Sequence, residues 1–266
     1  MKLAVIGDPV AHSASPALFR GFFAEAGVAG SYEAIRVAAG DGARAIAELQ
    51  AKGYRGANVT TPLKEEALAA CNRVVDPEAI EVDAANVLLF QDDGIHGFNT
   101  DTTGALYAVG DLIGREDIRD GDETRALGGT RVLVLGVGPT ARAVIWKLRR
   151  HGAGVTVWNR TGERAGATAR RYDVRVWDGE ALDIVFSTLP PGAEIDPRVL
   201  DAARDARHVV DANYGPRATL AALLDREVSD GLALLGHSAR ESFRLFSMPR
   251  TERFWSGIEK AKLVWG

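Results

Sequence analysis

Short β-rich runs and helical patterns alternate along almost the whole of this chain, a rhythm that only parallel sheets with crossover helices satisfy. "KLAVIG" (2–7), "YEAIRV" (32–37) and "GANVT" (56–60) are separated by a helix from Pro16 and another over 41–52, and Pro62 opens a third. "ANVLLFQDDGIHGFNTD" (85–101) reads as two strands around Asp92-Asp93-Gly94, an antiparallel hairpin on the same sheet. A helical stretch from about Thr103 leads into the polar segment "GREDIRDGDETRALGGT" (114–130), a loop or linker. Alternation restarts with "RVLVLG", "GVTVW", "VRVW", "DIVFSTLP", "HVVDANY" and "LALLG" (232–236), six strands of a doubly wound sheet. From Ser238 onward, "SARESFRLF" and "TERFWSGIEKAKLVWG" read as helices without a sheet of their own, expected to return to the first unit. Phe243, Phe246, Phe254 and Trp255 at near-helical spacing read as core.

The expectation is therefore an α/β protein of two domains. Residues 1–102 with 238–266 form a mixed-sheet domain, and 103–237 form a Rossmann-like domain. A length of 266 residues agrees with two compact units, and 46% hydrophobic with 26% charged residues describes a globular chain. A net charge of −4 supplies no basic field to recruit nucleic acid or anionic lipid. No apolar run reaches the roughly 20 residues of a membrane span, and "MKLAVIGDPVAHS" breaks too early for a secretory signal, so a cytoplasmic protein is expected. Cys71 is the sole cysteine, which excludes an intrachain disulfide and a cysteine-based zinc site. The five histidines show no ligand spacing, and no metal is expected.

The clearest chemical signal is "RVLVLGVGPTARA": a strand, a glycine-rich turn, then a helix opened by Pro139 and Thr140. Gly136, Gly138 and Ala141 match G-x-G-x-x-A. Gly136 would make the tight turn, Gly138 would admit a pyrophosphate, and Ala141 would allow close helix–strand packing. An NAD site would carry an acid at the end of the second strand. This chain offers Asn159, Arg160, Thr161 and Arg164 there, a set suited to a 2′-phosphate, so the expected cofactor is NADP. The bland alternative is a glycine turn with solvated arginines.

In the first unit, "GDPVAHSASP" sets Ser15 as an N-cap before Pro16, and Ser13 adds a second hydroxyl. Such an end either holds a substrate carboxylate or merely caps its helix. "NVTTPLKEEA" makes Thr61 an N-cap and puts Lys64 at the third helical position, where a capping box carries Glu or Gln. A cation there forgoes about 0.3–1 kcal/mol of dipole interaction. Lys64, Asn86 and Asp101 all come from strand ends that could meet at one edge of a sheet, and a lysine with a carboxylate makes a proton-transfer pair. Taken singly, Lys64 reads as a solvated first-turn residue and Asp101 as a cap.

Together, "GDPVAHSASP", "GANVTTPLKEEA", "AAN…GFNTD", "GVGPTARA" with "NRT", and "DG" at 230–231 resemble the shikimate dehydrogenases, in order and over nearly the entire chain. That resemblance implies a two-domain NADP enzyme that reversibly reduces 3-dehydroshikimate to shikimate, in the route to chorismate and the aromatic amino acids. By position it implies that Ser13 and Ser15 hold the carboxylate while Asn58, Thr60, Asn86 and Asp101 bind ring hydroxyls. Lys64 and Asp101 become the catalytic pair, and Tyr214 reaches the substrate. Gly231 lies near the nicotinamide, and Thr188 and Leu234 join the cofactor-binding residues. The family commonly reads D-G-x-x-M-L-x-x-Q near its C-terminal helices. Here Leu234 replaces the Met and Ser238 the Gln, so a shorter hydroxyl faces the ring, and quinate or another hydroxylated ring carboxylate is the alternative substrate. A non-catalytic NADP- or metabolite-binding regulator is the alternative from another class. A monomer or a homodimer is expected.

Overall fold

A computed structural model describes residues 1–73, 75–115, 117–118 and 126–248. The chain falls into two compact units: Met1–Thr100 with the chain from Gly236, and Asp101–Leu235.

The first unit holds β1 (Lys2–Gly7), α1 (Ser15–Glu25), β2 (Ser31–Arg36), α2 (Gly42–Ala51), β3 (Gly56–Val59), α3 (Lys64–Ala70), α4 (Pro77–Val82), β4 (Val87–Gln91) and β5 (Gly94–Phe98). Its sheet runs β2-β1-β3-β4-β5, with β2, β1 and β3 parallel and β4 and β5 an antiparallel hairpin at one side. Alternate residues serve opposite faces. Ala4, Ile6, Ala57, Val59 and Leu88 meet Ile46 and Leu49 of α2 and Ala67 of α3, while Leu3, Val87 and Leu89 meet Phe19 and Phe23 of α1. Each large apolar side chain buried completely in this way contributes about 1.5–3 kcal/mol.

The second unit holds α5 (Asp101–Leu112), β6 (Arg131–Leu135), α6 (Pro139–Arg150), β7 (Gly154–Trp158), α7 (Gly162–Tyr172), β8 (Arg175–Val176), β9 (Ile184–Ser187), α8 (Pro197–Asp205), β10 (His208–Asp211) and α9 (Leu220–Leu224). Its five strands are all parallel in the order β10-β9-β6-β7-β8, a doubly wound sheet whose direction of winding reverses beside β6. "RVLVL" is buried on both faces, as a central parallel strand must be: Val132 and Val134 pack with α5 and α6, Leu133 and Leu135 with α8 and α9.

One expected strand is a helix. "LALLG" begins α10 (Leu232–Phe246), a 15-residue element. A short apolar run does not separate strand from helix by itself; here the pattern continues through Ala239, Ser242 and Phe246, buried residues three and four apart. The part of α10 from Gly236 belongs to the first unit, where Ala239, Leu245 and Phe246 join the cluster of Phe19 and Phe23. Phe243 also packs there, 5.6 Å from Phe23 between ring centroids. The buried Arg55 guanidinium donates to the carbonyls of Phe246 at 3.3 Å and Met248 at 2.5 Å, satisfying orphan acceptors at the helix end. Phe254, Trp255 and the rest of "TERFWSGIEKAKLVWG" lie outside the described residues. Among the described residues no helix is long and apolar enough to cross a membrane.

Candidate functional site

In the first unit, the C-terminal ends of β1 and β3 and the start of β4 share one edge of the sheet, because Ile6 faces Val59 and Asn58 faces Val87 in register. Thr60 donates its N–H to the Ile6 carbonyl and Asp8 donates to Thr61, which draws the loops after β1 and β3 together. The N–H of Ala85 donates to the Lys64 carbonyl at 2.9 Å, so the start of α3 lies beside the residue that precedes Asn86. Ser13, Ser15, Asn58, Thr60, Lys64 and Asn86 therefore gather where open α/β sheets hold ligands.

Two local expectations change. Residues 61–63 form a turn closed by the Leu63 N–H on the Thr60 carbonyl, and α3 starts at Lys64 after Leu63 as its cap. Thr61 is not the N-cap, and Lys64 is the first helical residue rather than the third. The third is Glu66, so the acid stands where helix electrostatics favours it. Similarly Ala14, not Ser15, caps α1: its carbonyl accepts from Ala17 and Leu18, and Pro16 follows Ser15 inside the first turn. The Ser15 N–H instead donates to Ser13 Oγ at 3.3 Å. Lys64 is 7% exposed and buried in its own surroundings, which removes the reading of a solvated first-turn lysine.

A hydroxyl and amide cluster occupies the same edge. Asn86 Oδ1 accepts the Thr100 N–H at 2.8 Å, and its Nδ2 donates to Thr100 Oγ1 and Ser238 Oγ at 3.2 and 3.3 Å. Thr100 Oγ1 lies 2.9 Å from Ser238 Oγ and 3.1 Å from Ser242 Oγ. Asn58 donates to Ser242 at 2.9 Å and accepts from Tyr32 at 2.8 Å. Ser238, standing where the family has Gln, is 5% exposed and bonded within this cluster. Sequence reasoning does not single out Tyr32, Thr100 or Ser242. A signal for Ser242 exists in its spacing of four from Ser238, which sets both on one helix face. Tyr32 offers none.

In the second unit the glycine-rich turn sits at the reversal of the sheet, between β7 on one side of β6 and β9 on the other. Gly136 has φ +107°, and a Cβ there would stand 2.6 Å from Thr188 Oγ1. Only glycine fits that conformation and approach. The Thr188 hydroxyl donates to the Leu135 carbonyl at 2.9 Å, locking the β9 end against the β6 end. Gly138 caps α6 without a side-chain bond, and a Cβ on it would meet nothing within 4 Å, so the helix N-terminus is open. Pro139 and Thr140 form the first turn, and Ala141 is fully buried against the sheet. After β7 stand Asn159, the exposed Arg160 and Thr161, and Arg164 in the first turn of α7. Asn159 donates to the Thr161 carbonyl at 3.2 Å, and Arg160 lies 3.8 Å from Glu194. An open helix end with anion-binding donors and two exposed guanidiniums fits a dinucleotide that carries a 2′-phosphate.

Asp101, 6% exposed, is the first residue of α5. Asp211 accepts from the N–H and the amide of Asn213 and from the Leu220 N–H, shaping the loop that carries Tyr214 into a one-turn 3-10 helix over Gly215–Arg217. A Cβ on Gly231 would stand 2.1 Å from the Ala212 carbonyl oxygen, so the backbone approach there demands glycine. Leu234 is buried in the core of this unit. Among the described residues no group of three or more His, Cys, Asp or Glu side chains could hold a metal ion.

Residues 5–88 match the shikimate dehydrogenase substrate binding domain. The NADP(+) shikimate dehydrogenase of Acidiphilium cryptum is 39% identical over 253 residues, covering 90% of this chain and 87% of that one. The crystal structure of shikimate dehydrogenase from Aquifex aeolicus superposes with a TM-score of 0.78 at 28% identity, over 94% of each chain. Shikimate 5-dehydrogenase from Thermus thermophilus, in complex with NADP(H) and shikimate, has a TM-score of 0.76 at 32% identity over the full length of both chains.

Proposed function

The chain belongs to the shikimate dehydrogenase family, and from that premise we infer that it is an NADP-dependent oxidoreductase that reversibly reduces 3-dehydroshikimate to shikimate. The observation that carries the reading is the joint presence of two sites' worth of parts. The first unit gathers Ser13, Ser15, Asn58, Thr60, Lys64 and Asn86 at one sheet edge. The second presents an open glycine-capped helix end with Arg160 and Arg164 beyond the next strand.

Ser13 and Ser15 hold the ring carboxylate, and Asn58, Thr60, Asn86, Ser238 and Tyr214 bind the rest of the ring. Gly136, Gly138, Pro139, Thr140, Ala141 and Thr188 hold the pyrophosphate side of NADP, Asn159, Arg160, Thr161 and Arg164 hold its 2′-phosphate, and Gly231 and Leu234 serve the nicotinamide end. NADP supplies or accepts the hydride. Lys64 and Asp101 form the proton-transfer pair: the Lys64 ammonium donates to the carbonyl oxygen in reduction, and its amine takes the hydroxyl proton in oxidation. Asp101 orients the lysine and binds a ring hydroxyl. The enzyme works in the cytoplasm, as a monomer or homodimer, on the route to chorismate and aromatic amino acids.

Incubation of the full chain with NADP and a panel of shikimate and quinate, followed by the absorbance of reduced nicotinamide, tests this. Turnover with shikimate is expected. Turnover with quinate alone would transfer the assignment to the other ring, and tight NADP binding with a silent panel would mark a regulator.

A further inference from the structure

Asn58 is held from both ends. Tyr32 on β2 and Asn58 on β3 flank β1, opposite Leu3 and Val5, so the register of two parallel pairings sets them on the same strand's two sides. The Tyr32 ring stacks on the fully buried Phe19, with centroids 4.0 Å apart and planes at 25°. That stacking delivers the phenol oxygen to within 2.8 Å of Asn58 Oδ1. At the other end, Asn58 Nδ2 lies 2.9 Å from Ser242 Oγ on α10.

The orientation of the Asn58 carboxamide follows from Ser242. Its single hydroxyl proton goes to the Ser238 carbonyl one turn earlier, at 2.8 Å, which leaves its oxygen to accept. Only the nitrogen of a carboxamide can donate to it, so the amide orientation is settled by the network: nitrogen toward Ser242, oxygen toward Tyr32. Tyr32 is then the donor to Asn58. With Nδ2 directed to Ser242 and, at 3.4 Å, to the Asn86 carbonyl, the second lone pair of Oδ1 is what the side chain has left to offer.

We propose that Tyr32 and Ser242 are positioning residues that fix the Asn58 carboxamide as an acceptor, so that the ring hydroxyl it meets must be a hydrogen-bond donor. The proposal rests on the reading of the first unit as the shikimate site. It makes this end of the site a reader of hydroxyl protons: a ring that carries hydrogen or a methoxy group at that position meets a carbonyl with nothing to give it.

The test uses shikimate and analogues in which each ring hydroxyl is replaced in turn by hydrogen or methoxy. Tyr32→Phe keeps the ring stacked on Phe19 and removes only the donor. It is expected to raise the shikimate KM about 10-fold, with kcat within about threefold and the NADP KM unchanged. For one position on the ring, the penalty for losing the hydroxyl should shrink from about 100-fold to under about 10-fold in that variant. Ser242→Ala should reproduce the effect and Ser242→Thr should spare it. A merely structural role would lower kcat and NADP affinity together and leave the analogue ratios as they were. Unchanged shikimate KM and unchanged ratios in Tyr32→Phe overturn the proposal while shikimate turnover stands. Failure of the unaltered chain to bind or oxidise shikimate overturns the functional reading, and the proposal with it.

Discussion

Glu66 grips Gly42: the carboxylate of the third residue of α3 accepts the backbone N–H of the first residue of α2 at 2.9 Å. Its other oxygen accepts the Gly40 N–H at 2.8 Å. Asp41, the residue at the N-cap of α2, makes no side-chain cap bond, so the cap is supplied by a neighbouring helix. Because residues two apart on a helix point to nearly opposite sides, this clamp on Glu66 fixes the rotation of α3 while Lys64 faces elsewhere. Glu66→Ala should cost about 1–2 kcal/mol of stability, the usual worth of a lost cap with charged acceptors. Thermal melts would read that loss, and steady-state rates in the same variant should show kcat falling further than shikimate KM rises. Wild-type kcat with the expected drop in stability would confine Glu66 to a structural role.

Lys64→Met tests the proton-transfer assignment. Removing such a group should lower kcat by ~10²–10⁴ while NADP affinity stays within a few-fold. Asp101→Asn, which keeps shape and loses charge, should lower kcat in the same range. An unaltered rate in the Lys64 variant would take that lysine out of the mechanism.

Much of this is written locally in the chain. The central strands of the doubly wound sheet follow from their apolar runs, β6 closed by Gly136 and β7 opened by Gly154, and Gly136 itself from a turn that only glycine can make. Residue types misplace the helix starts by one or two positions because hydrogen bonds decide them: the Thr60 carbonyl takes the Leu63 N–H and delays α3, while Ala14 takes Leu18 and advances α1. "LALLG" misleads because four apolar residues fit a strand as well as the first turn of α10. The link of Tyr32 and Ser242 to Asn58 stays invisible for a different reason. The two residues stand 26 and 184 positions from Asn58, and only sheet register and the return of α10 bring them to it.

Cofactor choice has its own test. With Asn159 where an NAD enzyme carries an acid, and Arg160 exposed before the cap of α7 and Arg164 exposed in its first turn, the pair should read the 2′-phosphate. Arg160→Ala and Arg164→Ala should each raise the NADP KM about 10-fold and leave the KM for NAD unchanged. Asn159→Asp should narrow the preference further by adding an acceptor for the ribose hydroxyl and repelling phosphate. Equal losses for both dinucleotides in the arginine variants would remove the phosphate-reading role.

The second unit should lose stability in acid in two stages. His208 at the start of β10 has its pKa lowered, first by burial and then by the positive charges of Arg207 and Arg226. A histidine that ionises less readily when folded leaves the unfolded chain binding more protons, so stability is intact above the unfolded value of about 6.5 and falls as pH drops below it. Asp183 is shifted down as well, chiefly by the Arg131 guanidinium, which donates to both its oxygens at 3.0 Å, and by the Arg131 N–H at 2.8 Å. Its contribution is present above the unfolded carboxylate value of about 3.9 and is lost as pH falls through the lower folded value. Thermal melts of the whole protein and of His208→Gln from pH 8 to 5 should diverge: the variant loses the slope that begins near pH 6.5. Asp183→Asn should flatten the curve only below about pH 4. Parallel melting curves for His208→Gln and the unaltered chain across pH 5–7 would mean that this imidazole titrates alike in both states.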